Sequence, residues 1–389
     1  MNYNNPERHD STMVMRTICA IVFCIFSLIY LYFYQADIIA VAQHVLSGGK
    51  TVYNKTVGTV IITAVLMLLQ MGVFSITGLR HKSHFLTYVP SMFALLFITD
   101  ISSDFNRSHS FGWWWVALPV SLVVYALLVI AARRYQSYER ADDSRHDLFF
   151  SRIVGINLFM MALMIFTVGC LTNSDKEFHA RARMEQMMKA GDWMGAMTVA
   201  QRQTANTPKL TMLRAYGLSK LGKMGEKFFE HEVTGGSDAI LPSGEDVRMV
   251  IYPTVNLYKY LGAVPGRPMS NITYLNILVK TGKGKAPVKD YLLCAYLMDK
   301  NLDAFANEIG KYYAIDNTLP KHYKEALVLY SHLRSDPIVV YKDNVIEQDY
   351  KDMRDLQRKY TDPVLRRSFI RKSYVNTYWY YYLYGSTNT

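Results

Sequence analysis

The sequence predicts an all-α protein, with a bundle of about five transmembrane helices at its N-terminus and a soluble helical-repeat domain after them. Three observations predict this. Long apolar runs occupy the chain up to residue 171, charged residues are frequent beyond it, and helix-like apolar spacing interrupted by a Gly-Asp-Trp turn opens the second half. The mean hydropathy of +0.02 averages these two opposite halves. We therefore expect two domains, 1–171 in the membrane and 172–389 outside it.

Five apolar segments are predicted to cross the membrane, because about 20 apolar residues are needed to span roughly 30 Å of hydrocarbon. The third segment is the shortest and contains Pro90. The first has no small-residue cleavage site and is followed by further spans, which favours an anchor over a signal peptide. The five segments are 17–34, 57–79, 85–99, 113–132 and 153–171.

The orientation follows from the basic residues of the short loops, which favour the cytoplasmic side. If the N-terminus is cytoplasmic, nine basic residues lie on that side and three on the other. We therefore expect a multi-pass protein of a bacterial inner membrane, with a cytoplasmic N-terminus and a periplasmic C-terminal domain. A different number of crossings would reverse the side of that domain. The nine are Arg8, Arg16, Arg80, Lys82, Arg133, Arg134, Arg140, Arg145 and Arg152, and the three are Lys50, Lys55 and Arg107.

The net charge of +11 suits contact with membrane lipids better than nucleic acid, because the sequence contains no dense basic block and no nucleic-acid-binding motif. The four cysteines are too dispersed for a disulfide framework or a zinc motif. No nucleophile elbow, phosphate-binding loop or zinc-protease motif occurs. We expect no cofactor, no metal and no nucleic-acid partner.

The weak catalytic candidates are Asp100 and Asp104, at the outer end of the third apolar segment. Two carboxylates beside Arg107 and His109 could form an acidic site for a cation or a sugar phosphate. The favoured interpretation is an interfacial loop with hydrated charges, because carboxylates at a membrane surface cost little free energy.

Repeat-like patterning begins soon after residue 171. A glycine lets the chain leave one helix, an aromatic ring fills the angle between two helices, and small residues allow their close approach. This pattern resembles the tetratricopeptide repeat. A degenerate second copy follows from Pro208, and a third hairpin is predicted from Pro287. The signature residues of the first copy are Gly191, Asp192, Trp193, Ala196, Ala200 and Pro208.

An unusual run of aromatic residues stands near the C-terminus. It is too short to cross a membrane. It could form an exposed patch that binds a partner or the membrane surface, or a final helix that packs its rings on the preceding repeats. Packing is the favoured interpretation. The candidate patch consists of Tyr378, Trp379, Tyr380, Tyr381 and Tyr382.

The apolar head, the Gly-Asp-Trp turn and the aromatic C-terminal run together resemble an uncharacterised inner-membrane family of Bacteroides-type bacteria. The resemblance implies a location and an architecture, with a tetratricopeptide-like domain, but no activity. From the sequence we expect a membrane-anchored, periplasm-facing scaffold or adaptor for protein partners. Two alternatives remain open, namely a membrane enzyme such as a lipid-linked glycosyl or acyl transferase using Asp100 and Asp104, and a transporter accessory subunit.

Overall fold

A computed structural model of the protein describes residues 6–101, 114–138, 152–203, 206–242 and 247–385, and they form an all-α structure without β-strands. The predicted fold class is therefore confirmed. The chain separates into two compact units, Met1–Asp175 and Lys176–Thr389. This boundary lies four residues beyond the one expected from the sequence.

Among the described residues of the first unit, four helical segments are long and apolar enough to cross a membrane. They are Met13–Tyr34, Lys55–Thr77, Trp114–Gln136 and Arg152–Leu171, and they coincide with four of the five predicted spans. The α-helices of this unit are α1 (Pro6–Ile29), α2 (Ala36–Leu46), α3 (Lys55–Thr77), α4 (Val89–Thr99), α5 (Trp114–Tyr138) and α6 (Arg152–Leu171). A π-helix, Tyr30–Tyr34, continues α1.

The predicted third span, 85–99, is not a single α-helix. A 3₁₀-helix, His81–Tyr88, leads directly into the 11-residue α4, which has Pro90 in its first turn. Proline has no amide hydrogen to donate and is best tolerated in the first turn of an α-helix, where that hydrogen would have no partner within the helix. At about 2.0 Å per 3₁₀ residue and 1.5 Å per α residue, the composite segment is roughly 32 Å long.

Side-chain hydrogen bonds connect each end of this composite segment, His81–Thr99, to a neighbouring helix. At its start, Asn157 of α6 accepts from the Phe85 amide and donates to the His81 carbonyl, both at 2.8 Å. At its end, the hydroxyl groups of Thr99 and Tyr30 lie 3.2 Å apart. The composite segment thus extends from the first turns of α6 to the π-helix that ends the first apolar segment.

The composite segment runs antiparallel to α3. Gln70 of α3 donates to the Thr87 hydroxyl at 2.9 Å, and the Ser91 hydroxyl donates to the Leu66 carbonyl at 2.8 Å. A step of four residues forward along the composite segment is therefore a step of four residues backward along α3. Both bonds are buried, so they fix the register of the two segments where no water competes.

Helices α5 and α6 complete the bundle. Arg133 of α5 donates to the Thr77 carbonyl, at the C-terminal end of α3, at 2.8 Å. Asn173, just after α6, donates to the Ile101 carbonyl, just after α4, at 2.6 Å. Because α6 meets the composite segment at both its start and its end, the two run parallel.

Polarity in this bundle is reversed relative to a water-soluble protein. Its exposed side chains include large apolar ones on each of the four long segments, whereas hydroxyl and amide groups are buried between the helices. This pattern is typical of helices that face lipid and hydrogen-bond to one another. The exposed apolar residues include Phe33, Leu68, Ile76, Trp115, Val116, Phe159 and Phe166, and the buried polar ones include Ser27, Thr59, Thr63, Gln70, Thr87, Ser91, Thr99 and Asn157.

The second unit is a stack of helices around one continuous apolar core. Its helices are α7 (Lys176–Lys189), α8 (Trp193–Gln201), α9 (Pro208–Lys220), α10 (Met224–Lys227), α11 (Thr254–Leu261), α12 (Asn271–Lys280), α13 (Val288–Met298), α14 (Leu302–Ile309), α15 (Lys321–Leu333), α16 (Asn344–Lys359), α17 (Pro363–Tyr374) and α18 (Tyr378–Tyr384). Segments that contain several glycine and proline residues separate α10 from α11 and α11 from α12.

Three helical hairpins of this unit share one turn geometry. Gly191, Gly222 and Lys300 each follow a helix in the left-handed conformation, with φ of +82°, +65° and +56°. At each turn, this residue and the next donate their amides to carbonyls in the last turn of the helix, at 2.9 to 3.1 Å. Asp192 and Asn301 then cap the following helix. The second hairpin is shorter than predicted, because α10 spans only four residues.

Candidate functional site

Asp100, one of the two weak catalytic candidates, is engaged in a structural contact. Its carboxylate accepts a hydrogen bond from the indole nitrogen of Trp114 at 2.8 Å, which joins the end of α4 to the start of α5. Asp104 lies outside the described residues. No cluster of three or more His, Cys, Asp or Glu side chains that could hold a metal ion occurs in the described part of the chain.

The residues of the repeat signature form one connected turn. Gly191 supplies the left-handed residue, and the Asp192 carboxylate accepts from the Gly195 amide at 2.8 Å and caps α8. Trp193 packs edge to face on Tyr216, with ring centroids 5.2 Å apart. Its ring thus fills the angle between α8 and α9, as expected for a helical hairpin. The remaining signature residues are Ala196 and Ala200, both buried, and Pro208, which begins α9.

The C-terminal aromatic run is not an exposed patch. It forms α18, in which Tyr378, Trp379, Tyr380 and Tyr381 are all buried, while Tyr382 is half-buried. The Tyr378 and Tyr381 hydroxyls donate to carbonyls at the end of α13, and the Trp379 indole nitrogen donates to a carbonyl of α15. Burial raises the pKa of the Tyr378 phenol. The interpretation as an interaction surface is therefore corrected in favour of packing.

A buried carboxylate that the sequence analysis did not identify holds α18 in place. Glu325 of α15 accepts from the Tyr378 amide at 2.7 Å and lies 3.0 Å from the Nδ1 atom of His322. Its backbone carbonyl accepts from the indole nitrogen of Trp379 at 2.7 Å. The available signal was a glutamate three residues after a histidine and directly before the apolar run 326–330, because a buried carboxylate needs donors nearby.

Two further carboxylates of this unit are also engaged in structural contacts. Glu185 is fully buried, and one of its oxygens accepts from three consecutive backbone amides, Val250 to Tyr252. Asp290 accepts from the phenols of Tyr313 and Tyr323, at 2.6 and 3.0 Å. Glu185 attaches a loop to α7 and Asp290 joins α13 to α15, so both carboxylates stabilise the helical stack.

One feature of this unit is what we term the aromatic–lysine site, formed by Trp193, Tyr216, Lys220, Tyr260 and Lys285. Trp193, Lys220 and Tyr260 are half-buried and Lys285 is exposed, whereas Tyr216 is fully buried beneath them. The ammonium group of Lys220 lies 3.7 Å from the ring centroid of Tyr260, and 5.4 and 5.5 Å from those of Trp193 and Tyr216. Tyr216 and Lys220 are one turn apart on α9, and the other two rings come from α8 and α11. Three helices therefore converge on one cation.

Lys220 has no hydrogen-bonding or ion-pairing partner among the described residues. Burial lowers the pKa of its ammonium group, and the positive charge of Lys285 lowers it further. The faces of aromatic rings attract cations, but less strongly than a carboxylate does at hydrogen-bonding distance. The site therefore has an excess of positive charge on an aromatic floor.

The ring positions in this site are fixed by hydrogen bonds to the phenol groups. The Tyr216 and Tyr252 hydroxyls lie 2.9 Å apart, and the Tyr260 hydroxyl donates to the Ser219 carbonyl at 3.1 Å. The hydroxyl of the neighbouring Tyr291 is fully buried and has no hydrogen-bonding partner within the described part of the chain. Rings held in this way form a pre-organised surface, which lowers the entropic cost of binding a ligand.

A cleft of about 420 Å³ opens beside Tyr258, two residues from Tyr260 and therefore on the opposite side of α11. The Tyr258 and Tyr274 hydroxyls donate to the Pro242 and Ala263 carbonyls, which shapes its walls. Its lining combines aromatic and proline side chains with one exposed cation, and consists of Pro242, Tyr258, Pro265, Gly266, Arg267, Pro268, Met269, Asn271 and Tyr274.

Comparison with known proteins gives one result. A family of unknown function, DUF6057, has a model that matches residues 269–385. The match covers less than a third of the chain, from the start of α12 to the end of α18, and includes the Glu325 contact with Tyr378. The chain matches no curated protein and no solved structure. The C-terminal helices, 269–385, are thus similar to those of a family of unknown function.

Proposed function

We propose that the chain is a membrane-anchored helical scaffold whose second unit holds an acidic segment of a protein partner at the aromatic–lysine site. The observation that carries this proposal is the half-buried ammonium group of Lys220, which contacts ring faces and no anion. An Asp or Glu side chain of a partner would supply the missing negative charge. Aromatic side chains are enriched at protein interfaces, where they supply most of the binding energy.

The state of the buried carboxylates favours binding over catalysis. Glu185, Asp290 and Glu325 each accept hydrogen bonds that hold neighbouring elements together. A catalytic carboxylate must instead reach the substrate with an oxygen that is available for proton transfer or attack. These contacts leave the aromatic–lysine site as the better-supported candidate for recognition.

Photocrosslinking of the full chain in its native membrane tests the proposal. A photoreactive residue replaces Lys259, which is exposed and adjacent to Tyr260. We expect a discrete adduct that is lost in the Lys220→Glu variant, because the new negative charge repels an acidic segment, and that persists in Lys220→Arg, which retains the cation. A photoreactive residue at the exposed Lys351 of α16 is the matched control. Equal adducts at both positions, or an adduct unaffected by Lys220→Glu, would refute the proposal.

The proposal includes a topology in which five segments cross the membrane of a bacterial cell, with the N-terminus in the cytoplasm and the second unit in the periplasm. Support comes from the excess of basic residues on the N-terminal side. Further support comes from the composite segment, His81–Thr99. Its start is hydrogen-bonded to α6 and its end to the π-helix that follows α1. Its length of roughly 32 Å matches the thickness of the hydrocarbon layer.

Paired reporter fusions test this topology. Alkaline phosphatase is active only outside the cytoplasm, and green fluorescent protein is fluorescent mainly within it. We expect phosphatase activity from fusions after Ile101 and Thr389, and fluorescence from a fusion after Leu79. If the fusions after Leu79 and Ile101 report the same side, the composite segment does not cross and the second unit lies on the side of the N-terminus.

The transferase alternative receives less support, because the Asp100 carboxylate already accepts from Trp114. It predicts that the double variant Asp100→Ala, Asp104→Ala loses function at a normal level of expression. The scaffold proposal predicts that this variant retains the Lys259 adduct. No observation in the described residues specifically favours a transporter accessory subunit.

A further inference from the structure

Helix α17 buries few of its side chains. Of its twelve residues only Ile370 is buried, while Tyr374 and Arg366 are half-buried. The Asp362 carboxylate caps its start by accepting from two amides, at 2.7 and 3.1 Å. A helix held by so little buried surface is stable enough to form but presents most of its side chains to the surroundings.

The exposed side of α17 combines apolar and cationic side chains. Val364, Leu365 and Phe369 are 77%, 51% and 40% exposed, and Arg371 and Lys372 are exposed beside them. One face of the Phe369 ring stacks on Tyr360, with ring centroids 4.1 Å apart. At 100° per residue, all five lie on the half of the helix that faces away from Ile370. No acidic residue occurs between Pro363 and Tyr374. Apolar and cationic side chains that share one exposed side suit a lipid surface with anionic head groups.

We propose that α17 docks on the anionic head-group surface of the membrane in which the chain is anchored. The two cations would contact lipid phosphates, and the three apolar side chains would enter the boundary between head groups and acyl chains. Chain connectivity to the apolar helices of the first unit tethers the second unit to the same membrane. Such tethering raises the effective concentration, so a contact that is weak in solution becomes populated.

An anionic lipid surface fits α17 better than a nucleic acid or an acidic protein. Phosphates alone would attract Arg371 and Lys372 but would gain nothing from Val364, Leu365 and Phe369, which would remain in water. An acidic protein surface would need apolar positions matched to these three side chains. A fluid lipid surface accommodates any arrangement of them, because its molecules rearrange around the helix.

Hydrogen exchange of the full chain in nanodiscs tests this inference. We compare nanodiscs of phosphatidylcholine alone with nanodiscs that also contain anionic phosphatidylglycerol. The amides of residues 363–374 should exchange about fivefold more slowly in the anionic nanodiscs, because docking suppresses local opening of the helix. Residues 344–359 of the neighbouring α16 are the internal reference and should not change. High salt should abolish most of the difference, since screening weakens attraction between exposed charges.

Charge-reversal variants identify the residues responsible. Arg371→Glu with Lys372→Glu should remove the lipid-dependent protection, whereas Lys351→Glu with Arg354→Glu on α16 should preserve it. Val364→Ser should reduce it, which separates lipid insertion from charge attraction alone, because the Val364 side chain is 77% exposed. Exchange of residues 378–384 serves as the check that each variant is folded. Equal exchange in both nanodiscs, protection unaffected by the Arg371 and Lys372 reversal, or protection produced by added RNA without anionic lipid would overturn the proposal. These outcomes are independent of the Lys259 adduct.

Discussion

Replacement of Glu325 should destabilise the second unit more than any surface substitution. In Glu325→Ala the Tyr378 amide and the His322 ring lose their contact with the Glu325 carboxylate. In the unsubstituted protein this carboxylate lies 2.7 Å from the amide and 3.0 Å from the ring. A buried hydrogen bond to a charged group contributes about 1.5–3 kcal/mol. We therefore expect the loss of both contacts to cost about 3–5 kcal/mol.

The site of Glu325 explains why the loss should be this large. Tyr378 is the first residue of α18, and amides in the first turn of a helix have no partner within the helix. Water cannot replace the carboxylate, because His322 and Tyr378 are fully buried. Since the free energy of unfolding of a domain is typically about 5–15 kcal/mol, the variant should lose a large part of it.

Urea unfolding of the full chain in detergent micelles, followed by pulsed hydrogen exchange, measures the effect. Exchange of residues 378–384 reports on α18 itself. Glu325→Gln, which keeps an oxygen acceptor but loses the charge, should lose about half as much as Glu325→Ala. Asp355→Ala is the control, because Asp355 and its partner Arg358 are 70% and 75% exposed and such pairs contribute about 0–1 kcal/mol. A loss below about 1 kcal/mol in Glu325→Ala would refute the structural role.

Three further predictions concern other parts of the chain. Gly191→Ala should cost about 1 kcal/mol in the unfolding free energy of the second unit, because φ is +82° and nothing lies within 4 Å of the added carbon, so only backbone strain contributes. Cys294 should resist alkylation until the protein unfolds, since burial raises the pKa of its thiol, and mass spectrometry of intact and urea-treated protein measures this. Asn157→Leu should lower the thermal midpoint in detergent and cost about 1–2 kcal/mol, because the Phe85 amide and His81 carbonyl lose their partner; an unchanged midpoint would contradict that role.

The apolar segments illustrate what local composition can predict. Four of them form helices within a few residues of the predicted bounds, because twenty consecutive apolar residues favour a helix whatever surrounds them. The third has a composition as apolar as the others but contains Pro90, which permits either a break or a kink. The observed 3₁₀-helix is held by Asn157, which lies 72 residues from Phe85 in sequence. A local sequence pattern around Pro90 therefore cannot show which residue holds the 3₁₀-helix in place.

The aromatic residues show the same limit in the second unit. Composition alone leaves two interpretations for the run from Tyr378 to Tyr382, since an exposed patch and a buried helix use the same residues. Contacts with Glu325 and with the carbonyls at the end of α13 decide between them. Likewise, Tyr216 and Lys220 are one turn apart on a helix, which the sequence shows, but Tyr260 comes from a loop-separated helix 40 residues later.

By itself, the sequence determined the helical class, the apolar head, and the hairpin turn at Gly191, because each depends on residues within one or two helical turns of one another. Only the tertiary structure decided that the third segment is a composite helix, that the C-terminal rings are buried, and that Lys220 meets three rings without an anion. Those features depend on contacts between residues far apart in the chain. Burial of a polar group costs free energy unless a partner satisfies it, and a one-dimensional pattern does not show which residues become partners.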